Sequence, residues 1–121
     1  MIKILILLAV IYLVARWIYM HPICLVCGLS MYPTLDDGSI ILTKRVDNLE
    51  IEKGEIYVFK RLTSEGKTLR VIKRVHDLEF KDGKMLCYIL GDNPSMSYDS
   101  REYGYIDSED VVAKVTKILR Y

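Results

Sequence analysis

The chain has 121 residues, which is the size of one small domain. Its 17 lysines and arginines balance 16 aspartates and glutamates, so the formal net charge is +1. This balance gives no basic face for nucleic acid and none of the acidic excess that is typical of disordered chains. We therefore expect one folded domain, with no nucleic-acid partner.

The first predicted element is an apolar segment at the N-terminus. Residues 4–15 carry no charge, and apolar and aromatic residues continue beyond Arg16 to Met20. A bilayer core needs about 20 apolar residues, so this segment spans one if Arg16 reaches a headgroup. A cleaved secretory signal is the alternative, but no small-x-small cleavage site precedes Arg16. We predict an uncleaved transmembrane anchor over residues 1–20.

From residue 21 onward the sequence has the pattern of a β domain. His21-Pro22 ends the helix, and runs rich in Val, Ile, Tyr and Leu then alternate with turn residues. Asp82-Gly83 is predicted to form a two-residue hairpin turn. The predicted strands cover residues 23–29, 39–45, 55–61, 67–80, 84–90 and 111–119. We predict a mostly β domain over residues 21–121, with an antiparallel sheet folded into a small barrel or sandwich.

The three cysteines, Cys24, Cys27 and Cys87, are an odd number and cannot form a fully paired disulfide framework. The spacing of Cys24 and Cys27 is half of a zinc or redox motif, but no second cysteine pair or histidine cluster accompanies it. No phosphate-binding glycine loop is present either. We expect apolar packing for the cysteines, no metal and no organic cofactor. A disulfide from Cys24 or Cys27 to Cys87 stays open in an oxidising compartment.

The first candidate for chemistry is Ser30, which follows a predicted strand, while Pro33 turns the chain behind it. A serine hydroxyl is a poor nucleophile unless a base removes its proton. The only two histidines, His21 and His76, leave few arrangements of the Ser-His-Asp type, so a lysine is the other candidate base. At an unperturbed pKa of about 10.4, roughly one lysine in a few thousand is neutral at pH 7. The useful lysine must therefore be desolvated.

Strand alternation selects Lys73 as that lysine. In the predicted strand over residues 67–80, Lys73 interrupts an apolar stripe formed by Leu69, Val71 and Val75. Burial on that face would lower the lysine pKa, as a general base at neutral pH requires. A lysine that reaches solvent at a sheet edge is the alternative.

The second candidate is a polar loop over residues 91–104, between two predicted strands. Asp99 and Arg101 are close enough in sequence to pair and anchor the loop, while Ser97 can accept a hydrogen bond from a lysine and orient it. A solvated loop with surface ion pairs is the alternative.

Together these features resemble the signal peptidase I family, in which a membrane segment precedes a β domain with a Ser-Lys dyad. Four motifs match in order: Ser-Met-x-Pro-Thr at residues 30–34, Gly-Glu-Ile-Tyr-Val-Phe at 54–59, Ile-Lys-Arg-Val at 72–75, and the Gly-Asp-Asn loop at 91–104. Residues 111–114 resemble the strand that follows. The resemblance covers residue 23 to nearly the C-terminus.

The resemblance implies that Ser30 attacks the scissile carbonyl, that Lys73 accepts its proton, and that Ser97 orients the lysine. The backbone N–H of Ser30 would hold the oxyanion, and Gly28 stands where some relatives have a serine that also donates. Asp92, Asp99 and Arg101 would support the structure of the site. The positions that match the family's substrate pocket are Val26, Met31, Leu35, Val71 and Ile72, which suit small side chains, with the substrate bound as an added strand.

The implied function is a serine endopeptidase that removes N-terminal signal peptides from exported preproteins. Its partners would be these preproteins and the lipid bilayer, with secretion machinery as a further candidate, and its catalytic domain would lie on the extracytoplasmic side. The short segment after Val75 resembles archaeal and endoplasmic-reticulum relatives, although these normally have histidine at the position of Lys73.

Two other functions stay open at this point. A specialised processing peptidase, such as a conjugation-pilin peptidase or a self-cleaving repressor-type protease, uses the same Ser-Lys chemistry, but the membrane segment argues against the repressor type. A membrane-tethered β module that only binds a partner is the other alternative. Such a module has no need of a desolvated lysine, so the combination of Ser30, Lys73 and Ser97 favours an enzyme.

Overall fold

The computed structural model describes residues 1–120. Tyr121, the last residue of the predicted β domain, lies outside the described residues. The first element is the helix α1, Ile2–Met20, none of whose residues is buried against the rest of the protein. Its mean hydropathy of 2.1 and its length would let it cross a membrane. At its end the rings of Trp17 and His21 stack with their centroids 4.5 Å apart.

The end of α1 is tied to the second strand of the β domain. Arg45 Nε donates a hydrogen bond of 2.8 Å to the carbonyl of Tyr19, and its guanidinium lies 4.3 Å from the centre of the Tyr19 ring. The carbonyl of Pro22 accepts hydrogen bonds from the backbone N–H and the hydroxyl of Thr43, at 3.0 and 2.6 Å. The helix therefore enters the domain through a fixed junction.

The domain is built on one antiparallel sheet of seven strands. The strands are β1 (Ile23–Leu25), β2 (Ile40–Arg45), β3 (Ile56–Leu62), β4 (Thr68–Lys81), β5 (Lys84–Leu90), β6 (Ile106–Asp107) and β7 (Val111–Arg120), in the spatial order β1-β2-β7-β3-β4-β5-β6. A short helix α2, Ser100–Tyr103, precedes β6. The predicted class, a mostly β antiparallel protein behind one apolar helix, is confirmed.

The hairpin between β4 and β5 has the predicted turn. Lys81 pairs with Lys84, and the two residues between them, Asp82 and Gly83, have φ of +53° and +75°. Two-residue hairpins of this kind need positive φ at both positions, which explains the Asp-Gly sequence. The predicted bounds of β5 are also confirmed. In contrast, β1 ends at Leu25 rather than at residue 29.

The apolar core consists of two clusters. The first contains Ile51, Tyr57, Phe59, Val75, Cys87, Ile89 and Val111, and the second contains Val26, Met31, Leu35, Ile41 and Ile56. Ile56 and Tyr57 are neighbours in β3 and belong to different clusters, because successive side chains of a strand point to opposite faces. The sheet is therefore packed on both faces, and the second cluster fixes the chain directly after Ser30.

The three cysteines are free thiols in the structure. Cys87 is fully buried in the first cluster, whereas Cys24 packs against the second. Burial raises the pKa of the Cys87 thiol to about 11. Apolar packing is confirmed for Cys24 and Cys87, but the prediction is wrong for Cys27, which is exposed.

Candidate active site

Ser30 lies in the loop between β1 and β2, and the residues on both sides of it are held. Met31 is only 1% exposed and anchors the loop in the second cluster. The carbonyl of Ser30 accepts a hydrogen bond of 2.8 Å from the backbone N–H of Asn93, whose side-chain amide donates to the carbonyl of Leu29 at 2.9 Å. The polar loop over residues 91–104 therefore fixes the backbone on which Ser30 stands.

Lys73 lies in β4 opposite Tyr57 of β3 and is only 4% exposed. Val75 is buried on the same face, while His76 on the other face is exposed. Burial lowers the pKa of the Lys73 ammonium, and the nearby carboxylate of Asp99 opposes that effect in part. The buried lysine that the alternation predicted is present.

Ser30 and Lys73 line the same cavity, which has a volume of about 440 Å³. Four of the predicted pocket residues, Val26, Met31, Val71 and Ile72, also line it. The remaining wall is formed by Cys24, Leu25, Cys27, Val58 and Arg70. Leu35 does not line this cavity and is fully buried in the second core cluster. The cavity thus joins a candidate nucleophile to a desolvated amine within mostly apolar walls.

Two stretches of chain face this cavity, residues 24–27 and residues 70–73. Residues 70–73 of β4 pair with β3 on one side, but the pairing of β4 with β5 begins only at Arg74. Within the described part of the chain, this half of β4 is therefore an edge whose backbone groups have no strand partner on the cavity side. An extended peptide could add a strand there.

The carboxylate of Asp99 is fully buried and accepts several hydrogen bonds from the polar loop. Ser97 Oγ donates at 2.6 Å, the backbone N–H of Gly91 at 2.8 Å, and Arg101 through its backbone at 3.1 Å and its guanidinium at 2.9 and 2.5 Å. Burial alone would raise the pKa of Asp99, but the hydrogen bonds from Arg101, Ser97 and Gly91 together hold it well below its usual range. The predicted pairing of Asp99 with Arg101 is present.

The sequence predicts that Ser97 accepts a hydrogen bond from Lys73, but among residues 1–120 no such bond is present. In the structure its hydroxyl proton is directed to Asp99. A hydroxyl that donates to a carboxylate keeps its oxygen lone pairs as acceptors. This arrangement leaves the oxygen of Ser97 as an acceptor for an ammonium.

The protein-family model described as "Signal peptidase, peptidase S26" matches the chain over residues 1–79, which is more than half of its length. The chain belongs to the S26 signal peptidase family. Members of this family are serine peptidases, so the protein is a signal-peptidase-type protease. The match includes the positions of Ser30 and Lys73, and no curated protein matches the chain.

A second carboxylate joins three of the motifs of this S26 peptidase. Asp92 accepts two hydrogen bonds from the guanidinium of Arg74, at 2.8 and 2.6 Å, and one of 2.6 Å from the hydroxyl of Thr34. Arg74 also donates to the carbonyl of Gly54 at 2.6 Å. The hydrogen bonds from Arg74 lower the pKa of Asp92. The chain segments that carry Ser30, Lys73 and the polar loop are thereby connected through one ion pair.

Several residues that build this S26 site are not predicted from the sequence. Thr34 and Arg74 lie inside matched motifs, but the sequence predicts no partner for either. The helix α2 was missed, although its capping box is visible in the sequence as Asp99 followed three residues later by Glu102. Gly91 was noted only as part of a motif, and nothing in its immediate sequence indicates how closely Ser30 approaches it.

Proposed function

We propose that this S26 peptidase is a signal peptidase I-type serine endopeptidase, which removes N-terminal signal peptides from exported preproteins with Ser30 and Lys73 as its dyad. The observation that carries the proposal is the shared cavity. A serine hydroxyl and a lysine with a lowered pKa both line it, and such a lysine can exist as a neutral base near physiological pH.

In this mechanism neutral Lys73 accepts the hydroxyl proton as Ser30 Oγ attacks the scissile carbonyl. The tetrahedral intermediate collapses, the peptide C–N bond breaks, and Lys73 returns its proton to the leaving amine. Water then attacks the acyl group on Ser30 as Lys73 accepts a proton from the water. The ester bond breaks, Lys73 returns that proton to Ser30 Oγ, and the cleaved signal peptide is released. Ser97 orients the lysine through its oxygen lone pairs, and Asp99 fixes Ser97 by accepting a hydrogen bond from its hydroxyl.

The developing oxyanion needs hydrogen-bond donors. Among residues 1–120 no acceptor pairs with the backbone N–H of Ser30, which makes it the first donor in the proposed mechanism. Gly28 cannot supply a hydroxyl, and its own N–H is used by the carboxylate of Asp37 at 2.7 Å. A second donor would therefore come from elsewhere in the site or from the substrate.

The substrate would bind in extended form along residues 70–73. Its small side chains next to the cleaved bond would occupy the apolar part of the cavity formed by Val26, Met31, Val71 and Ile72. In this proposal residues 1–20 form a single-pass anchor, residues 21–121 form the catalytic domain on the extracytoplasmic side, and the bilayer delivers the substrate.

The test is cleavage of a preprotein in detergent micelles, with the cut position read by mass spectrometry. We expect the wild type to cut after a small residue, and Ser30→Ala and Lys73→Ala to be inactive. Ser64→Ala and Lys67→Ala are matched controls, because both residues are exposed in the turn between β3 and β4. Cleavage by Ser30→Ala at the wild-type rate would exclude the proposed nucleophile. A wild type that cuts only pilin-like precursors would instead support a specialised processing peptidase.

A further inference from the structure

Arg61 of β3 lies against two aromatic rings of the polar loop. The centre of its guanidinium is 4.3 Å from the centroid of the Tyr98 ring and 4.8 Å from that of Tyr103. The two rings meet edge to face, with centroids 5.3 Å apart. Among residues 1–120 no carboxylate lies within ion-pair distance of Arg61. A planar cation over aromatic faces is an attractive arrangement.

Tyr98 lies between the residue proposed to orient Lys73 and the residue that fixes that side chain. Ser97 precedes it and Asp99 follows it, and their side chains share the 2.6 Å hydrogen bond. Tyr98 itself is 54% exposed and is not part of either core cluster. Arg61 and Tyr103, rather than the core clusters, therefore hold the ring of Tyr98.

From these contacts we propose that Arg61 is a positioning residue, which holds Tyr98 and thereby fixes Ser97 and Asp99 beside Lys73. The inference rests on the proposed dyad, since it assigns to Arg61 a role in the arrangement of the base. The family match and the motifs of the sequence assign no role to this arginine.

Arg61 also acts on Lys73 through its charge. The groups that set the charge around Lys73 are Asp99 and Glu102, which raise the lysine pKa, and Arg101 and Arg61, which lower it. Arg70, Cys24 and Cys27 face the same cavity, and Tyr57 lies across from Lys73 in β3. Removing the positive charge at residue 61 should therefore raise the pKa of Lys73 and reduce its neutral fraction near pH 7.

Two kinds of substitution distinguish the positioning of Tyr98 by Arg61 from the effect of the Arg61 charge on the pKa of Lys73. Arg61→Gln removes both the charge and the cation–ring contact, whereas Arg61→Lys keeps the charge and loses the planar group that stacks on the rings. Tyr98→Leu removes the ring and leaves Arg61 in place, and Tyr98→Phe keeps the ring. Lys60→Gln is the matched control, because it removes one positive charge from the adjacent, exposed residue of β3.

The experiment measures two properties of the full chain in detergent micelles. The first is the titration of Lys73, followed by NMR with ¹³Cε-labelled lysine and assigned by the signal that Lys73→Arg lacks. The second is kcat and KM for preprotein cleavage. We expect Arg61→Gln to move the Lys73 titration to higher pH and to lower kcat roughly tenfold with little change in KM. Arg61→Lys should restore the titration but not kcat, while Tyr98→Phe and Lys60→Gln should match the wild type.

The inference is overturned if Arg61→Gln and Tyr98→Leu match Lys60→Gln in both measurements. If Arg61→Gln unfolds, Tyr98→Leu decides alone, through the titration of Lys73 together with kcat. The titration needs no cleavage. A wild type that cuts no preprotein would therefore contradict the proposed function, while these NMR measurements would still decide the role of Arg61.

Discussion

The backbone of Gly91 lies directly against that of Ser30. A methyl group on the Cα of Gly91 would stand 2.6 Å from the carbonyl oxygen of Ser30 and 2.6 Å from Cβ of Ser97, and it would also overlap Ser97 Oγ. Neither the backbone oxygen nor Cβ can move without moving its chain. The absence of a side chain at residue 91 is thus what allows the loop that carries Ser30 and the polar loop to meet.

Gly91→Ala should therefore displace Ser30 or Ser97 and lower kcat/KM by about 100-fold or more. The measurement is preprotein cleavage beside circular dichroism, which should show a retained β fold. Gly66→Ala is the matched control: its φ of +82° makes alanine strained, but nothing lies within 4 Å of the added methyl group. That variant should lose stability and keep activity. Near-normal turnover by Gly91→Ala would show that this close approach is not needed.

Lys73→Arg should abolish cleavage although it keeps a positive charge at the site. A guanidinium has a pKa above about 12 and cannot serve as a base near neutral pH. The measurement is kcat/KM for the variant beside Lys67→Arg, which makes the same change in an exposed turn. Measurable turnover by Lys73→Arg would remove Lys73 from the role of base.

Asp99→Asn should destabilise the protein and shift the titration of Lys73. The variant loses a buried carboxylate paired with Arg101, which we expect to cost about 3 kcal/mol of unfolding free energy at pH 7. The pKa of Asp99 is depressed in the fold, so this stability is present above the unfolded value of about 3.9 and is lost as pH falls through the folded value. Urea unfolding at several pH values should show the difference from wild type shrinking below about pH 4.

The same variant should also shift the pKa of Lys73, which a purely structural role of Asp99 would not do. Asp99 raises the pKa of Lys73, so its loss should move the lysine titration to lower pH, opposite to the effect of Arg61→Gln. Glu109→Gln serves as the control, because it removes a negative charge from an exposed residue. An unchanged Lys73 titration in a folded Asp99→Asn protein would contradict the electrostatic arrangement described above.

Arg45→Ala should affect the cleavage of membrane-bound substrates but not that of soluble substrates. Arg45 joins β2 to the end of α1, so its loss should loosen the position of the β domain relative to the helix. We expect slower cleavage of a preprotein in lipid vesicles and unchanged cleavage of a short soluble peptide, with Lys44→Ala, an exposed neighbour in β2, behaving as wild type in both assays. Equal loss on both substrates would point to damage within the domain instead.

Local sequence rules predicted the parts of this fold that local forces decide. Alternation located the buried Lys73, and the Asp-Gly pair located the turn at residues 82–83, because each signal lies within a few residues. The end of β1 was missed because it depends on Gly28, whose φ of +94° and hydrogen bond to Asp37 turn the chain away from the sheet. The sequence between Gly28 and Asp37 does not indicate that these two residues form a hydrogen bond.

The site was predicted less completely than the strands, because its supports join distant segments. Thr34, Arg74 and Asp92 are far apart in sequence. Only the folded sheet brings the hydroxyl of Thr34 and the guanidinium of Arg74 to the carboxylate of Asp92. Leu35 was assigned to the substrate pocket by the resemblance alone. In the structure it is fully buried in the second core cluster and does not line the cavity.

The most direct test of the Ser30–Lys73 dyad is the pH dependence of kcat/KM for preprotein cleavage by the wild type. Lys73 must be neutral to act, and burial lowers its pKa, so activity should rise with pH on a limb below the free-lysine value of about 10.4. The limb should agree with the Lys73 titration measured by NMR in the same micelles. A limb at the free-lysine value, or one that does not follow the titration of Lys73, would contradict the proposed base.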